Sequence, residues 1–226
     1  MRLLMIIPAY NEEGSIEKVV ENIKENYPQY DYVIVNDGSK DRTSEICHNN
    51  EYNIIDLPVN LGLAGAFQTG MKYAYKHGYE CAIQFDADGQ HRAEFIDLMY
   101  SEIKKGYDIV IGSRFVTEKK PFSMRMLGSR IISFAIRITT GKKITDPTSG
   151  MRLFGKSVLQ EFADNINYGP EPDTISFLLR QGKKISEVQV EMDERETGES
   201  YLNFTKSLTY MLRMLISILL IQTFRR

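Results

Sequence analysis

The sequence predicts an α/β domain, Rossmann-like, with a mainly parallel central sheet and helices on both of its faces, followed by C-terminal amphipathic interfacial helices. Three observations predict it. Short runs rich in Ile, Val and Tyr alternate with longer amphipathic stretches through the first hundred residues, which is the pattern of parallel strands joined by crossover helices. Polar turns containing Gly follow those runs, at the strand ends where open α/β sheets bind their ligands. The composition is 42% hydrophobic and 26% charged over 226 residues, enough for one large core. Disordered, collagen-like and coiled-coil chains are excluded by it.

Taken in order, residues 2–7 form the first strand, too short an apolar run for a secretion signal and stopped by Pro8. Residues 32–36, 52–57, 81–85 and 109–111 are the next strands, with helices at 15–25, 42–49, 64–76 and 93–104 between them. After Gly112 the alternation stops. A helix at 124–139 carries Leu127, Ile131, Phe134 and Ile138 at i, i+4, i+7 and i+11, with Arg130 and Arg137 beside that stripe. Residues 146–150 are a turn, 157–162 and 174–180 helices, 184–192 a strand, 194–200 a polar loop and 204–224 a terminal helix.

The net charge of −2 gives no reason to expect a nucleic-acid partner. Its distribution is uneven. Residues 114–143 hold eight Lys or Arg against Glu118 alone, and residues 203–226 hold Lys206, Arg213, Arg225 and Arg226 with no acid. Once these are set apart from the total, the remainder carries −13. Cys47 and Cys81 make no disulfide framework, and with three scattered His they argue for a reducing, cytoplasmic compartment and against zinc.

Four strand-end motifs carry the chemistry. Asp86-Ala87-Asp88 closes a strand, so residues i and i+2 point the same way and two carboxylates can converge on a hard cation, with Gln90 able to add a carbonyl or hold a coordinated water. A solvated acidic turn is the plain alternative, and the position opposite other strand-end loops weighs against it. Asp37 and Gly38 end the second strand, where a carboxylate can accept from a base or ribose while Gly38 keeps the backbone open to a flat ring; an Asx turn is as good an account. Pro8-Ala9-Tyr10-Asn11-Glu12 offers a backbone edge and an acid, or a simple turn into a helix. Gly62-Leu63-Ala64-Gly65 opens a helix whose N–H groups suit an anion or close packing.

These motifs, with Asn60-Leu61-Gly62, Gly112-Ser113-Arg114 and Asp146-Pro147-Thr148-Ser149-Gly150-Met151-Arg152, stand in the order seen in family 2 glycosyltransferases. The chain resembles their dolichol- and polyprenyl-phosphate sugar synthase branch over residues 1 to 201, and small bacterial members that load a sugar on a lipid carrier. The resemblance implies a GT-A fold, a nucleotide-diphosphate sugar donor (UDP-, GDP- or dTDP-linked) and Mg²⁺ or Mn²⁺. It assigns Asp86, Asp88 and Gln90 to metal and diphosphate, with Ala87 between them. Pro8, Ala9, Tyr10, Glu12, Asp37, Gly38 and Gly62 go to the nucleotide sugar.

On the acceptor side it implies a polyprenyl phosphate, such as undecaprenyl phosphate, held by Arg114 and by a second arginine in the following helix at about 122–140. Arg130 is chosen for that second position, with Arg125 as the alternative, and Arg137 is expected to be solvated. Arginine's planar fork suits a phosphate. Arg195, in a loop resembling one that closes over the diphosphate, would neutralise leaving-group charge. Asp146 sits where a base has been assigned in some relatives, or else fixes the turn and orients an arginine.

The expected domain is 1–202, with 203–226 a membrane-associating helix. Arg213 interrupts that segment and costs roughly 2.5–3.5 kcal/mol at a bilayer centre, so lying in the interface fits better than spanning. A helix packed on its own domain or on a second copy is the alternative. The expectation is therefore a metal-dependent, inverting glycosyltransferase in cell-surface glycan assembly, peripheral on the inner face of the cell membrane, alone or with a small membrane protein or a second copy. Its rivals are a transferase acting on a glycan hydroxyl and an inactive nucleotide-sugar-binding scaffold. The motif order predicts that Asp88→Ala abolishes turnover while the far-UV circular dichroism and unfolding midpoint stay unchanged; near-normal turnover in that variant would remove Asp88 from the metal set.

Overall fold

The computed structural model describes residues 2–87, 89–164, 169–193 and 204–222. Among them, β1 (Leu3–Ala9), β2 (Asp31–Asn36), β3 (Ile54–Asp56), β4 (Cys81–Gln84), β5 (Ile109–Ser113), β6 (Arg152–Gly155) and β7 (Ile185–Gln189) form one sheet in the order β3-β2-β1-β4-β6-β5-β7. The helices are α1 (Ile16–Asn26), α2 (Thr43–Asn49), α3 (Gly62–Lys76), α4 (Ile96–Lys104), α5 (Met124–Thr140), α6 (Lys156–Asp164), α7 (Pro172–Arg180) and α8 (Phe204–Ile216). A 3₁₀ turn, Ala93–Phe95, leads into α4, and a π-helical stretch, Ser217–Ile221, continues α8.

Alternate residues of β1 point to opposite faces, and both faces are covered. Leu4 and Ile6 pack with Phe67, Phe154 and Phe162, whose rings meet at centroid distances of 5.4–5.6 Å. Leu3, Met5 and Ile7 pack with Val20 and Ile23 of α1 and Met99 of α4. Burial on both faces explains why these strands read as unbroken apolar runs.

β1 lies parallel to both β2 and β4, and the chain moves from β1 outward through β2 and β3 before returning to β4 on the other side. The switch point falls between β1 and β4, which is where a crevice opens. Pro8 sits inside β1 at that point. The β1–β4 ladder reaches only Ile6 opposite Gln84, so the N–H that Pro8 lacks would have had no strand partner there.

One strand was not anticipated. β6 runs antiparallel between β4 and β5, so the sheet is mixed where the sequence predicts no strand between 111 and 184. β5 and β7 are parallel, as expected for crossover-linked strands.

Helix α5 starts where the sequence predicts, with Ser123 Oγ accepting from the Met126 N–H and Gly141 closing the helix at φ 71°. Its predicted apolar stripe faces outward. Leu127, Ile131, Phe134 and Ile138 are exposed, while Met126, Ile132, Ala135 and Ile136 fill the core. Helix α8 and its π-helical continuation also have two apolar sides: Met214 and Ile218 are buried in the core beside α5, and Leu212, Ile216 and Leu220 are exposed. Gly128 allows this approach, since a Cβ there would collide with Met211. Polar contacts fasten the same side of α8 to α7. Tyr210 donates to Glu171, Ser217 Oγ donates to Asp173 at 2.6 Å, and Arg180 donates to the Gln222 carbonyl at 3.3 Å. No described helix is long and apolar enough to cross a membrane.

Ile218→Ala should lower stability by about 2–4 kcal/mol, as a large-to-small change in a packed core does. Leu220→Ala, on the exposed side, should stay within about 0.5 kcal/mol. Urea unfolding of both variants checks the packing of the terminal helix.

Candidate active site

The loops after β1 and β2 are stitched together by side chains that their sequence supplies. Asn11 takes φ 58° and its Oδ1 accepts from the Lys40 N–H at 2.8 Å, while its own N–H donates to Ser39 Oγ at 3.0 Å. The Glu12 N–H donates to Thr43 Oγ1, the Glu13 N–H to Asp41 Oδ2, and the Arg42 N–H to Glu13 Oε2. Burial alone would raise the Asp41 carboxyl, but donation from the Thr43 hydroxyl and from the Thr43 and Glu13 N–H groups holds it below its ordinary value. Glu12 also accepts from Ser15 Oγ at the start of α1, so it anchors that helix.

Asp37 is buried, and its Oδ1 accepts from the Leu61 N–H at 2.7 Å, tying β2 to the entrance of α3. Gly38 lies where two backbone segments cross closely. Its φ is 66°, and a Cβ would sit 2.8 Å from the Asn60 nitrogen, so the glycine is needed for close passage of the 59–60 backbone. Gly62, at φ 75°, has open space around it, and its N–H is taken by Asn60 Oδ1. Pro8, Ala9 and Tyr10 line the end of β1 beside these loops.

Across the switch point, Asp86 follows β4. Its Oδ1 accepts from Gln84 Nε2 at 3.2 Å, and its Oδ2 lies 3.3 Å from Nε2 of His91, a side chain only 2% exposed. The Asp86 N–H donates to His91 Nδ1 at 3.0 Å, which places the ring proton on Nε2, toward the carboxylate. His91 thus orients Asp86, although no motif pointed to it; its position directly after Asp86–Gln90 was the available signal. Ala87 is buried under this turn. The Gln90 carbonyl accepts from the Asp193 N–H, and His91 forms a β-bridge with Met192. Asp88 and Arg195 lie outside the described residues.

Do these residues fit a Mg²⁺ or Mn²⁺ ion? The Asp86 side chain is about one-third exposed, at 32%, with both oxygens oriented by neighbours. Gly150 keeps the adjacent space clear, since a Cβ there would stand 3.1 Å from Asp86 Oδ2. A hard carboxylate with room beside it suits an ion that takes one or two carboxylates and completes its shell with phosphate oxygens and water. No group of three or more His, Cys, Asp or Glu gathers for a metal among the described residues.

The 146–150 turn joins this carboxylate to Arg114. Asp146 is fully buried and pairs bidentately with Arg114, Nε to Oδ2 at 2.8 Å and Nη2 to Oδ1 at 3.0 Å. It also accepts from the Arg114 N–H and from Thr148 Oγ1. With its oxygens so engaged, Asp146 has the geometry of the residue that orients Arg114. Arg130 donates from Nη2 to the Lys120 carbonyl at 2.8 Å, and Arg137 is exposed. The side chain of Arg125 lies outside the described residues. Lys120, which the sequence did not single out, is half-buried between these groups, and burial pushes its ammonium below the usual lysine range.

A model of the Glycosyl transferase family 2 matches residues 5–162. An undecaprenyl-phosphate mannosyltransferase of Micrococcus luteus is 31% identical over 216 residues, covering 90% of this chain and 88% of its own. A UDP-N-acetylglucosamine–dolichyl-phosphate N-acetylglucosaminyltransferase of Methanococcus voltae is 35% identical over 185 residues, 73% of each chain. Among solved structures, glucosyl-3-phosphoglycerate synthase of Mycobacterium tuberculosis, crystallised with Mn²⁺, UDP and phosphoglyceric acid, superposes with a TM-score of 0.70. That match covers 100% of this chain and 79% of the other at 17% identity, so what the two share is the fold.

The depressed Asp41 carboxyl makes a pH prediction. Its contribution to stability is complete above its unfolded pKa of about 3.9 and is lost as pH falls through the lower folded value. The gap in urea midpoint between the native protein and Asp41→Asn should be widest above about pH 5 and should close on acidification below about pH 3. A gap that is constant with pH would show that the stitching does not depend on the charge.

Proposed function

Because this chain belongs to glycosyl transferase family 2, we propose that it moves a sugar from a nucleotide-diphosphate sugar to a polyprenyl phosphate, with inversion and with a divalent metal. The observation that carries the acceptor assignment is that Arg130 lies within α5, the helix that exposes Leu127, Ile131, Phe134 and Ile138, and that Arg114 is linked to the same helix through Asp146, Thr148 and Ser129. A phosphate on a long hydrocarbon needs both a cationic cradle and an apolar approach, whereas a glycan hydroxyl needs neither. The names of the relatives point to the same acceptor class.

The chain's own residues divide the work. Asp37, Glu12 and the end of β1 hold the nucleoside; Asp86, with Asp88 and Gln90, holds the metal and diphosphate. A bound Mg²⁺ or Mn²⁺ ion supplies positive charge for the departing diphosphate. Arg114, fixed by Asp146, and Arg130 align the acceptor phosphate behind the anomeric carbon. That phosphate has a second pKa of about 6 and is already an oxyanion at neutral pH, so alignment matters more than a general base. Arg195 would add charge on the leaving-group side.

The exposed sides of α5 and α8 carry Arg137 and Arg213 and no acid, which suits an anionic bilayer surface. We place the protein peripherally on the inner membrane face on that ground, with 203–226 as the attaching segment.

Radiolabelled UDP-, GDP- and dTDP-sugars offered with undecaprenyl phosphate should deliver label to the organic phase, and EDTA should stop transfer. Label found only on water-soluble glycans, or transfer that survives EDTA, would overturn the respective part. Phe134→Glu should reduce co-sedimentation with anionic vesicles without moving the unfolding midpoint, and added salt should weaken native binding as screening shortens to about 8 Å near physiological strength.

A further inference from the structure

The segment between β5 and α5 places a third cation beside Arg114 and Arg130. Lys120 Nζ donates to Ser129 Oγ at 2.8 Å, across to the first turns of α5. Ser129 Oγ lies 3.3 Å from Thr148 Oγ1, and Thr148 Oγ1 donates to Asp146 Oδ1 at 3.2 Å. Asp146 in turn holds Arg114. Lys120 and Arg114 are therefore the two ends of one hydrogen-bonded chain. They also flank one ring, the Lys120 Nζ 5.4 Å and the Arg114 Cζ 5.2 Å from the Phe115 centroid. Arg130 joins them through its bond to the Lys120 carbonyl.

The charge around Lys120 is not balanced by the chain. Neither Lys120 nor Arg130 has an ion-pair partner among the described residues. The two acids that act on Lys120 are occupied: Asp146 with Arg114, and Glu187 with the Thr145 and Asp146 N–H groups and the Thr145 hydroxyl. An ammonium has three donors, and only one of Lys120's goes to Ser129. Burial leaves this cation short of the solvation its charge needs, and a bound dianion would supply what the two occupied acids do not.

We propose that Lys120 is a phosphate-binding residue of the acceptor site, donating from Nζ to an oxygen of the polyprenyl phosphate together with Arg114 and Arg130. This rests on the acceptor assignment made above and adds a group to it. Arg114 spends two N–H bonds on Asp146 and Arg130 spends one on the Lys120 carbonyl, so the lysine supplies a mobile point charge where the two forks are committed.

The test uses the full chain, with farnesyl phosphate as a soluble prenyl phosphate and inorganic phosphate as a second probe, in calorimetry without donor. Lys120→Met keeps the apolar stem and removes the charge; it should weaken farnesyl phosphate binding on the order of tenfold or more, the worth of one charge-assisted hydrogen bond. Donor affinity and the unfolding midpoint should not move. Lys120→Arg should recover most of the binding. Ser129→Ala, which cuts the tether but leaves the ammonium, should lose less than Lys120→Met.

Normal farnesyl phosphate binding by Lys120→Met overturns the proposal. So does a loss shared equally by Ser129→Ala and accompanied by a lower unfolding midpoint, because Lys120 would then only fasten its loop to α5. Inorganic phosphate bound as tightly as farnesyl phosphate would make this a free-anion site and overturn the lipid assignment. Arg114→Ala and Arg130→Ala separate the two levels. If they lose prenyl phosphate binding while Lys120→Met does not, only the lysine falls; if the native protein binds no prenyl phosphate, the acceptor assignment falls with it.

Discussion

The buried pair of Arg114 and Asp146 is the interaction on which both sides of the site depend. A carboxylate with no exposed surface is costly unless each oxygen is satisfied, and removing one partner of such a pair typically costs about 3–5 kcal/mol. Asp146 meets that requirement with the Arg114 fork, the Arg114 N–H and the Thr148 hydroxyl. The surrounding turn is then held from two directions. Glu187 of β7 accepts from the Thr145 and Asp146 N–H groups, and the buried Arg152 donates from Nη2 to the Pro147 carbonyl at 2.7 Å. At the far end of the turn, Gly150 lies against Asp86. One five-residue turn thus fixes the distance between Asp86 and Arg114.

The antiparallel direction of β6 is what makes this possible. A parallel strand presents the loop that follows it to the ligand-binding edge of the sheet, while an antiparallel strand presents the loop that precedes it. Arg152 pairs with Gln84 and Ile111, near the ends of β4 and β5, so residues 146–151 emerge at the edge where Asp86 and Arg114 already stand. A conventional crossover would have carried that turn to the opposite end of the sheet.

Much of this was legible in the sequence, and the failures share a physical origin. Strands β1, β2, β4 and β5 announced themselves because burial on both faces leaves short apolar runs bounded by turns, and the half-exposed edge strand β3 by its Ile-Ile pair. β6 is four residues that begin with an arginine and run straight into α6, so neither apolar length nor a turn marked it. Charged residues are almost never fully buried, and Arg152, buried like Asp146, hid the strand. The sequence marks Gly38 as a turn that keeps the backbone open to a flat ring, while the approach of the 59–60 chain on its Cβ side is encoded by no local pattern. His91 is held by two atoms of Asp86, a relation between a strand end and the turn after it that only the folded geometry displays.

The α5 stripe shows a different limit. Periodicity identifies a helix with an apolar side, yet it does not say which side faces the core when there are two. Ile132, Ala135 and Ile136 are smaller on average than Leu127, Ile131, Phe134 and Ile138, and the tight crossing with α8 at Gly128 selects the smaller set. The larger residues are left outside. Exposing contiguous apolar area costs solubility in water unless something covers it, and here the covering agent must also accept positive charge. The basic stretches around both helices contrast with the −13 carried by the rest of the chain. On the membrane assignment, that separation has a mechanical consequence: an anionic surface attracts the helical side and repels the acidic body, so the molecule is turned to bring α5, and with it Arg114, Lys120 and Arg130, toward the headgroups where a lipid phosphate lies.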